Sequence, residues 1–263
     1  MAMTVNPLSS AVAGAYSAKS SAAEQISSGQ RINSAADDAA GLSISSRMDA
    51  ELAGKRMALR NAADGISYAQ TASGALESLS SNVSRIRELA VQAGNGILSD
   101  SDRQAIQSEI NALNDENRSV LENTTFNGKA IFSADEPRVF QVGESAGDTI
   151  TIDPMQVLEL GSFNGNVASS ADVETLINST DDDLQRLSSA MADTSAVANR
   201  FESTMERLSG NIGDNAVALS RLRDTDMAQA AARQSNEDIR NQIQIAVQAQ
   251  ANARAPDVLR LLS

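Results

Sequence analysis

The most regular pattern in the sequence is a set of apolar residues that recurs every seven positions in the C-terminal half. One series begins at Ile177 and ends at Leu219, and a second lies three residues further on, with three polar positions. This spacing places both series on one face of a long helix and is typical of a coiled-coil seam. A single helix cannot bury such a stripe, so the pattern also predicts partner helices. The seam residues are Leu184, Leu187, Met191, Phe201, Met205, Leu208, Ile212, Leu219 and Leu222.

The partner helices are predicted upstream, where apolar residues recur at spacings of three and four. One apolar face runs from Ile44 to Ala90, and Gly94 is placed to end that helix. A second, shorter helix is predicted from Ser101, because Gln104 three residues later completes the sequence signature of a capping box. The helices before and after the middle of the chain are therefore expected to pack together as an elongated bundle.

The segment between the two helical halves has a different composition. Residues 138–142 and 149–152 are β-prone, and residues 143–147 between them have the glycines of a hairpin connection. We therefore predict a small β-hairpin element within residues 126–156, followed by a surface loop over residues 157–172.

The two ends of the chain share a third composition, rich in Ala, Ser and Gln over residues 11–23 and 227–253. Isolated helices of this kind have little apolar surface to hold them, so we expect loose order until neighbouring copies cover them. Aromatic residues make up only 3% of the chain, which suits narrow seams between helices. The predicted fold is mainly α: an elongated antiparallel helical bundle or coiled coil formed by both chain ends, with a small β-hairpin in the middle.

Composition and charge exclude many kinds of function. The chain has no Cys and no His, so thiol and imidazole catalysis and the usual zinc sites are absent. A net charge of −13 argues against nucleic acid or an anionic membrane as partner. No apolar run approaches the roughly 20 residues of a membrane span. The first ten residues lack the basic start and apolar stretch of a cleavable signal peptide. We expect no enzyme activity, no cofactor and no metal.

Two groups of charged residues nevertheless allow more than one interpretation. Arg31, Asp37 and Asp38 could form a carboxylate site, but no nucleophile or phosphate-binding loop accompanies them, so a turn or intersubunit contact is the preferred interpretation. Residues 181–183 are three consecutive aspartates that could bind a cation. We prefer to place them near the start of the seam helix, where acidic side chains favour the positive helix end.

Several motifs closely resemble the signatures of bacterial flagellins, in family order and over nearly the whole chain. The resemblance begins with ISSGQRINSAADDAAG at residues 26–41 and continues with NAADGIS at residues 61–67. RIRELAVQ at residues 85–92 is similar to the family's most recognisable helix, and FNG at residues 126–128 to the entry to its hairpin. Asn199, Arg200 and Phe201 match in the second half, as does the tail around residues 248–262. Only the hairpin and a short loop stand where the family usually has a large insertion, so the resemblance implies a minimal flagellin without the variable outer domains.

The resemblance implies a structural role in a secreted, extracellular filament used for swimming. Residues 1–42 and 227–263 would form terminal helices of an inner tube, and residues 43–226 the bundle of an outer tube. The implied partners are copies of the chain itself, an export chaperone on the C-terminal helix, and the filament cap and junction proteins. Alternative functions are a hook–filament junction protein of the same helical family, or an adhesive or ligand-binding flagellin homologue.

The resemblance also implies recognition by the animal Toll-like receptor that detects flagellin. The family places this recognition on the helix that carries Arg85 and Leu89, which lie four residues apart and so share a helix face. The family's facing carboxylate falls near Asp115 or Glu116, and the sequence does not distinguish between them. This face is expected to be exposed in the monomer and buried in the polymer.

Overall fold

The computed structural model describes residues 20–132, 136–155 and 160–261. Residues 1–19 of the predicted terminal segment, and residues 156–159, which include the start of the predicted loop, lie outside this range. By their contacts the described residues fall into two compact units: residues up to Leu52 together with those from Gly213, and Ala53–Ile212. The assignment of chain segments to an inner and an outer tube remains a prediction.

The architecture is mainly helical, as predicted. The helices are α1 (residues 20–28), α2 (Ala35–Ala93), α3 (Asp100–Asn123), α4 (Ser170–Arg223) and α5 (Met227–Leu261). The strands are β1 (Thr125–Phe126), β2 (Lys129–Ala130), β3 (Arg138–Gln141) and β4 (Thr149–Ile152), and a 3-10 helix spans Gly161–Asn164. Among the described residues, no helix is both long enough and apolar enough to cross a membrane.

The long helices of the Ala53–Ile212 unit run antiparallel to one another. Along α2 and α4, Arg87 bonds to Asp181, whereas Gly65 further back on α2 lies against Phe201 further forward on α4. Residue numbers therefore rise along one helix as they fall along the other. α2 and α3 are also antiparallel. Asn82 donates to the Asn117 amide oxygen at 2.9 Å, and Arg85, further along α2, donates to Glu109, which lies further back on α3.

The start of α3 lies two residues before the predicted one. The N-cap is Ser99, whose side chain accepts the Asp102 N–H while the Asp102 carboxylate accepts the Ser99 N–H. The predicted box at Ser101 and Gln104 was therefore wrong. A charged carboxylate forms a stronger hydrogen bond to a backbone N–H than an amide does, so the Ser99 pair has the advantage.

The seam of α4 is centred on one of the two predicted series. Every seventh residue from Val173 to Leu208 is buried in the structure. The buried positions of that series are Val173, Thr180, Leu187, Thr194, Phe201 and Leu208. The other predicted seam residues are half-buried: Leu184, Met191, Met205, Ile212, Leu219 and Leu222.

α4 also begins earlier than predicted, at Ser170, and is preceded by the 3-10 helix. The loop predicted for residues 157–172 is thus only partly a loop. Ser169 and Asp172 exchange the same reciprocal hydrogen bonds as Ser99 and Asp102, which fixes the new start. Val173 and Leu176 then lie in the core, at positions between the predicted loop and the predicted seam.

The middle of the chain contains two hairpins where one was predicted. β1 and β2 pair around Asn127 and Gly128, whose φ angles of 50° and 73° are those of a tight left-handed turn. β3 and β4 pair with Arg138 opposite Ile152, which confirms the predicted hairpin and shortens its first strand by one residue. Both hairpins cover the helices through buried apolar residues such as Ile131 and Ile150.

Four aromatic residues form a cluster where these hairpins pack on the helices. Tyr68 lies edge-on to Phe126 and Phe140, with ring centroids 5.8 and 5.9 Å apart, and Phe140 lies edge-on to Phe201 at 5.3 Å. Such pairs contribute about 0.5–1.5 kcal/mol beyond the area they bury. A second apolar cluster, around Ile86 and Ile110, joins the end of α2 to the start of α3.

Candidate assembly and recognition surfaces

The N-terminal signature joins the two chain ends of its unit through a short antiparallel contact. The Arg31 N–H donates to the Arg223 carbonyl at 2.6 Å, and the Thr225 N–H donates to the Gly29 carbonyl at 3.0 Å. The Arg31 guanidinium also donates to the Leu222 carbonyl at 2.6 Å, which satisfies a carbonyl in the last turn of α4. Gly29 has a φ of 69°, a conformation that favours glycine. Arg31 therefore caps α4 and holds the segment after α1 against the end of that helix.

Asp37 and Asp38 form turns and caps. The Asp37 carboxylate accepts the N–H groups of Asn33 and Ser34 at 3.1 and 2.9 Å. These hydrogen bonds, the one from the Ser34 backbone first, lower the pKa of Asp37 from its ordinary value. Asp38 is non-helical, with φ −162° and ψ 98°, and accepts the Gly41 N–H at 2.8 Å, which restarts the helix after a kink. This pattern agrees with the turn interpretation.

α5 exposes a stripe of aliphatic side chains. Ile239, Ile243 and Val247 are 50–57% exposed and lie at four-residue intervals on one face. We call these three residues the α5 stripe. Ala230 and Asn241 are buried on this helix. A row of uncovered aliphatic residues is a candidate interaction surface.

Arg85 and Leu89, predicted to form one exposed recognition face, have different environments. Arg85 is on the surface and donates to Glu109 at 2.8 Å and to Glu88 at 3.1 Å. Hydrogen bonds to Glu109 first, and then to Glu88, raise the pKa of the Arg85 guanidinium. Leu89 is only 2% exposed and packs in the second apolar cluster, near Ile110. The expectation of an exposed Leu89 was therefore wrong, because its side chain is needed to join α2 to α3.

The carboxylate that faces Arg85 is Glu109, and neither predicted candidate contacts it. Asp115 pairs with Arg118 on its own helix at 3.3 Å, and both Asp115 and Glu116 are exposed. The sequence interpretation missed Glu109. No signal in the sequence selects Glu109, because the residue of α3 that faces Arg85 is set by how α2 and α3 pack.

The three consecutive aspartates of α4 have separate roles. Asp181 pairs with Arg87, and the buried Asp183 accepts the N–H groups of Gly161 and Ser162, each at 2.8 Å. Because α4 begins at Ser170, these residues are several turns from its N-terminus, and the helix-end interpretation was wrong. Within the described parts of the chain, no group of three acidic residues is arranged to hold a metal ion.

Comparison with known protein families shows two matches. Residues 3–136 match the bacterial flagellin N-terminal helical region, and residues 177–262 match the bacterial flagellin C-terminal helical region. Residues 137–176 are all that separate them. The chain is 47% identical over 167 residues to the phase 1 flagellin of Salmonella naestved and to the flagellin of Salmonella budapest. That alignment covers 62% of this chain and 33% of each relative, so the chain spans about a third of their length.

Two solved structures are also similar. The crystal structure of Bacillus cereus flagellin has a TM-score of 0.52 and 28% identity, covering 57% of this chain and 88% of that one. A protein of Vibrio parahaemolyticus described as flagellar hook-associated has a TM-score of 0.63 and 18% identity, covering 72% of this chain and 100% of that one. At that identity the second likeness shows the fold alone.

Proposed function

Since the chain belongs to the bacterial flagellin family, we propose that it is a structural subunit that polymerises with copies of itself into an extracellular flagellar filament for swimming. The observation that carries this proposal is the α5 stripe, which leaves three aliphatic side chains 50–57% exposed in the single chain. Copies that cover one another's stripes through contacts that do not close would build an open helical polymer.

Within this polymer, we propose that residues 1–42 and 227–263 form the inner tube and residues 43–226 the outer tube. The contact between Gly29–Arg31 and Arg223–Thr225 supports the pairing of the two ends. The apolar clusters of the Ala53–Ile212 unit support a bundle that is complete in one copy.

The test replaces one residue of the α5 stripe with a charged residue. Ile243→Asp should leave a folded monomer that does not elongate filament seeds, because the charge would lose its water on assembly without gaining a partner. The measurement is seeded polymerisation followed by sedimentation and electron microscopy. The matched control is Gln242→Asp, which adds the same single charge on the same helix but about 100° away from Ile243 around the helix axis.

The three possible results lead to different conclusions about the function and about the α5 stripe. Seeded growth of the unmodified chain, with loss of growth only in the stripe variant, supports the proposal. If the unmodified chain forms no filament, the proposed function fails. If the stripe variant grows as well as the control, the α5 stripe is not the assembly surface.

The proposed role is structural and not catalytic. With no His and no Cys in the chain, an imidazole base and a thiol nucleophile are unavailable. The carboxylates of Asp37, Asp38 and Asp183 are already engaged by backbone N–H groups. A hydrolase screen on the purified chain should give no turnover.

The proposed partners follow from the same family membership. An export chaperone would cover α5 before secretion, since the α5 stripe is exposed in the single chain. Filament cap and junction proteins would contact the ends of the polymer. Competition between a purified chaperone and filament seeds for the monomer, compared for the stripe variant and Gln242→Asp, would test whether the same surface serves both.

We also propose recognition of the monomer by the animal Toll-like receptor for flagellin, at a site revised from the sequence interpretation. The proposed contacts are Arg85 and Glu109, which are about half exposed and bonded to each other. Arg85→Ala and Glu109→Ala should each reduce signalling in a receptor-reporter assay, with Arg118→Ala as a surface control. A silent unmodified monomer, or full signalling from the double variant, would remove this partner.

A hook–filament junction protein remains the second candidate, because the Vibrio parahaemolyticus neighbour shares the fold. The two roles differ in the product. A filament subunit should restore long filaments to cells that lack their own flagellin, whereas a junction protein should restore only the attachment of filaments made from another subunit.

A further inference from the structure

The turn between α2 and α3 contains an asparagine followed by glycine that is exposed and held in a reactive geometry. The chain has three Asn-Gly pairs: Asn95-Gly96, Asn127-Gly128 and Asn164-Gly165. Glycine after asparagine leaves the following N–H open to the side chain, because no Cβ shields it. The three pairs lie in different backbone settings, so the structure can rank them.

Asn95 has its side-chain carbonyl turned over the peptide bond that follows it. Its Oδ1 accepts the Ile97 N–H at 3.3 Å, which curls the side chain across Gly96. The same hydrogen bond withdraws electrons from the amide carbon Cγ and would stabilise negative charge on Oδ1. In the described part of the chain, no acceptor is recorded for the Gly96 N–H, and Asn95 and Gly96 are both exposed.

The other two pairs are held away from this reaction. The Gly165 N–H donates to the Ser162 carbonyl at 3.1 Å, and a Cβ at Gly165 would lie 2.2 Å from Leu176, so this glycine is tightly packed. Asn127 lies in the two-residue turn between β1 and β2 with a φ of 50°, between the paired residues Phe126 and Lys129. Closing a ring at Asn164 must first break the hydrogen bond of the Gly165 N–H. Asn127 and Gly128 are exposed like Asn95 and Gly96, and there the ring must first distort the turn that joins β1 to β2.

We propose that Asn95 is a site of spontaneous modification, at which the side-chain amide is lost through a cyclic imide. The Gly96 nitrogen loses its proton and attacks Cγ of Asn95, forming the N–Cγ bond. The Cγ–NH2 bond then breaks and the nitrogen leaves as ammonia. Water opens the imide at either carbonyl, giving aspartate or isoaspartate. Water is the only co-reactant, and no oxidant or reductant is needed.

The aspartate or isoaspartate formed at residue 95 changes the turn that connects α2 to α3. The Asn95 backbone carbonyl accepts the Leu98 N–H at 3.3 Å and the Arg103 guanidinium at 3.4 Å. Isoaspartate lengthens the backbone by one carbon at this point and adds a carboxylate beside the C-terminal end of α2, where negative charge is unfavourable. Older copies of the protein therefore carry a more acidic and less regular turn between α2 and α3.

The test incubates the full purified chain at mildly alkaline pH and follows each site by tryptic peptide mass and isoaspartyl methyl labelling. Residues 88–103 form one tryptic peptide in which Asn95 is the sole asparagine. We expect Asn95 to react about five-fold or more faster than Asn164, since the latter must give up a backbone hydrogen bond. Asn127 should also react more slowly than Asn95, and in denaturant the three rates should converge.

The matched variant is Gly96→Ala. A Cβ at Gly96 would meet nothing within 4 Å, and its φ is outside the left-handed region, so the variant should fold normally. Modification at Asn95 should fall sharply in this variant, while Asn127 and Asn164 react as before. Equal rates at Asn95 and Asn164 in the folded chain would overturn the proposal. So would an unchanged rate at Asn95 in Gly96→Ala, or an unchanged ranking in denaturant.

Discussion

Asp183 illustrates how one side chain connects distant parts of the chain. Its buried carboxylate accepts two backbone N–H groups from Gly161 and Ser162, which attaches the 3-10 helix to α4. Charge-assisted hydrogen bonds of this kind are strong. Asn114 of α3 holds the same segment from the other side by donating to the Ser162 carbonyl at 3.0 Å. The neighbouring Asp182 is exposed, so the two residues form a natural pair for comparison.

Asp183→Ala is expected to destabilise the chain by about 1–3 kcal/mol for each N–H group left unsatisfied. Asp182→Ala should change the free energy of unfolding by less than about 0.5 kcal/mol. Urea unfolding followed by circular dichroism measures both. Equal effects would mean that Asp183 does not hold the 3-10 helix.

The capping carboxylate of Asp102 should make stability depend on acid pH. Hydrogen bonds from the Ser99 side chain first, and then from the Ser99 backbone, lower the pKa of Asp102 below 3.8 in the folded chain. Its contribution is therefore full well above that pH and is lost as the pH falls through the folded-state value. The urea midpoint of Asp102→Asn should lie below that of the unmodified chain at neutral pH and converge with it in acid.

Asp100→Asn is the control for this pH dependence, since Asp100 lies in the same first turn but makes no capping-box bond. The urea midpoints of both variants could approach that of the unmodified chain over the same pH range and by the same amount. In that case the pH dependence comes from negative charge at the helix end in general and not from the cap.

At the residue scale, the sequence identified which types of residue form caps and ion pairs, but it did not always identify their partners. Serine followed three residues later by a polar residue fits both Ser99 and Ser101, and only the geometry of the turn after Ala93 selects the first. Arg85 was recognised, but its carboxylate Glu109 depends on how α3 lies against α2. Pairings between helices are set by packing, which spacing within one helix cannot give.

At the scale of elements, the heptad pattern predicted the seam helix but weighted its two series equally. The structure buries the series that includes Leu187, Phe201 and Leu208, and leaves residues such as Met205 half-buried. The reason is that α2 approaches α4 closely on one side. At Gly65 a Cβ would lie only 2.5 Å from the Phe201 ring, so the missing side chain of α2 makes room for that ring.

This close approach predicts opposite effects for two glycines of the same helix. Gly65→Ala should destabilise the chain by about 1–3 kcal/mol, because the Phe201 ring must move out of its packed position. Gly74→Ala meets nothing within 4 Å and should stabilise it by up to about 1 kcal/mol through helix propensity. Thermal unfolding of both variants is the measurement, and stabilisation by Gly65→Ala would show that α2 and α4 are not in contact there.

For the whole molecule, amino-acid composition predicted the division into helical segments and a β-containing middle better than local patterns did. The low aromatic content indicated helical seams, and the structure places Phe126, Phe140 and Phe201 with Tyr68 in one cluster between the hairpins and the helices. The second hairpin around Asn127 was not recognised, since its strands of two residues each are too short to show a period.

The uneven burial of the chain predicts where a protease will cut the monomer first. α5 is 35 residues long. Among the residues of α5 whose side chains the structure describes, Ile239, Ile243, Ile245 and Val247 are all at least half exposed. Little apolar burial is available to offset the entropy lost when such a segment is ordered. α2 carries comparable exposed arginines at Arg56 and Arg60, but beside a helix face that buries Leu52, Ala58 and Ala62.

Brief trypsin treatment of dilute monomer should therefore cleave at Arg233 and Arg240 of α5 well before Arg56 and Arg60 of α2. All four arginines are exposed and helical, so the order of cleavage reports local opening and not access alone. Mass spectrometry should find a resistant core of roughly residues 45–225. In seeded filaments the cuts in α5 should disappear, because copies cover the α5 stripe. Cleavage of all four sites at similar rates in the monomer would show that α5 is ordered without its neighbours.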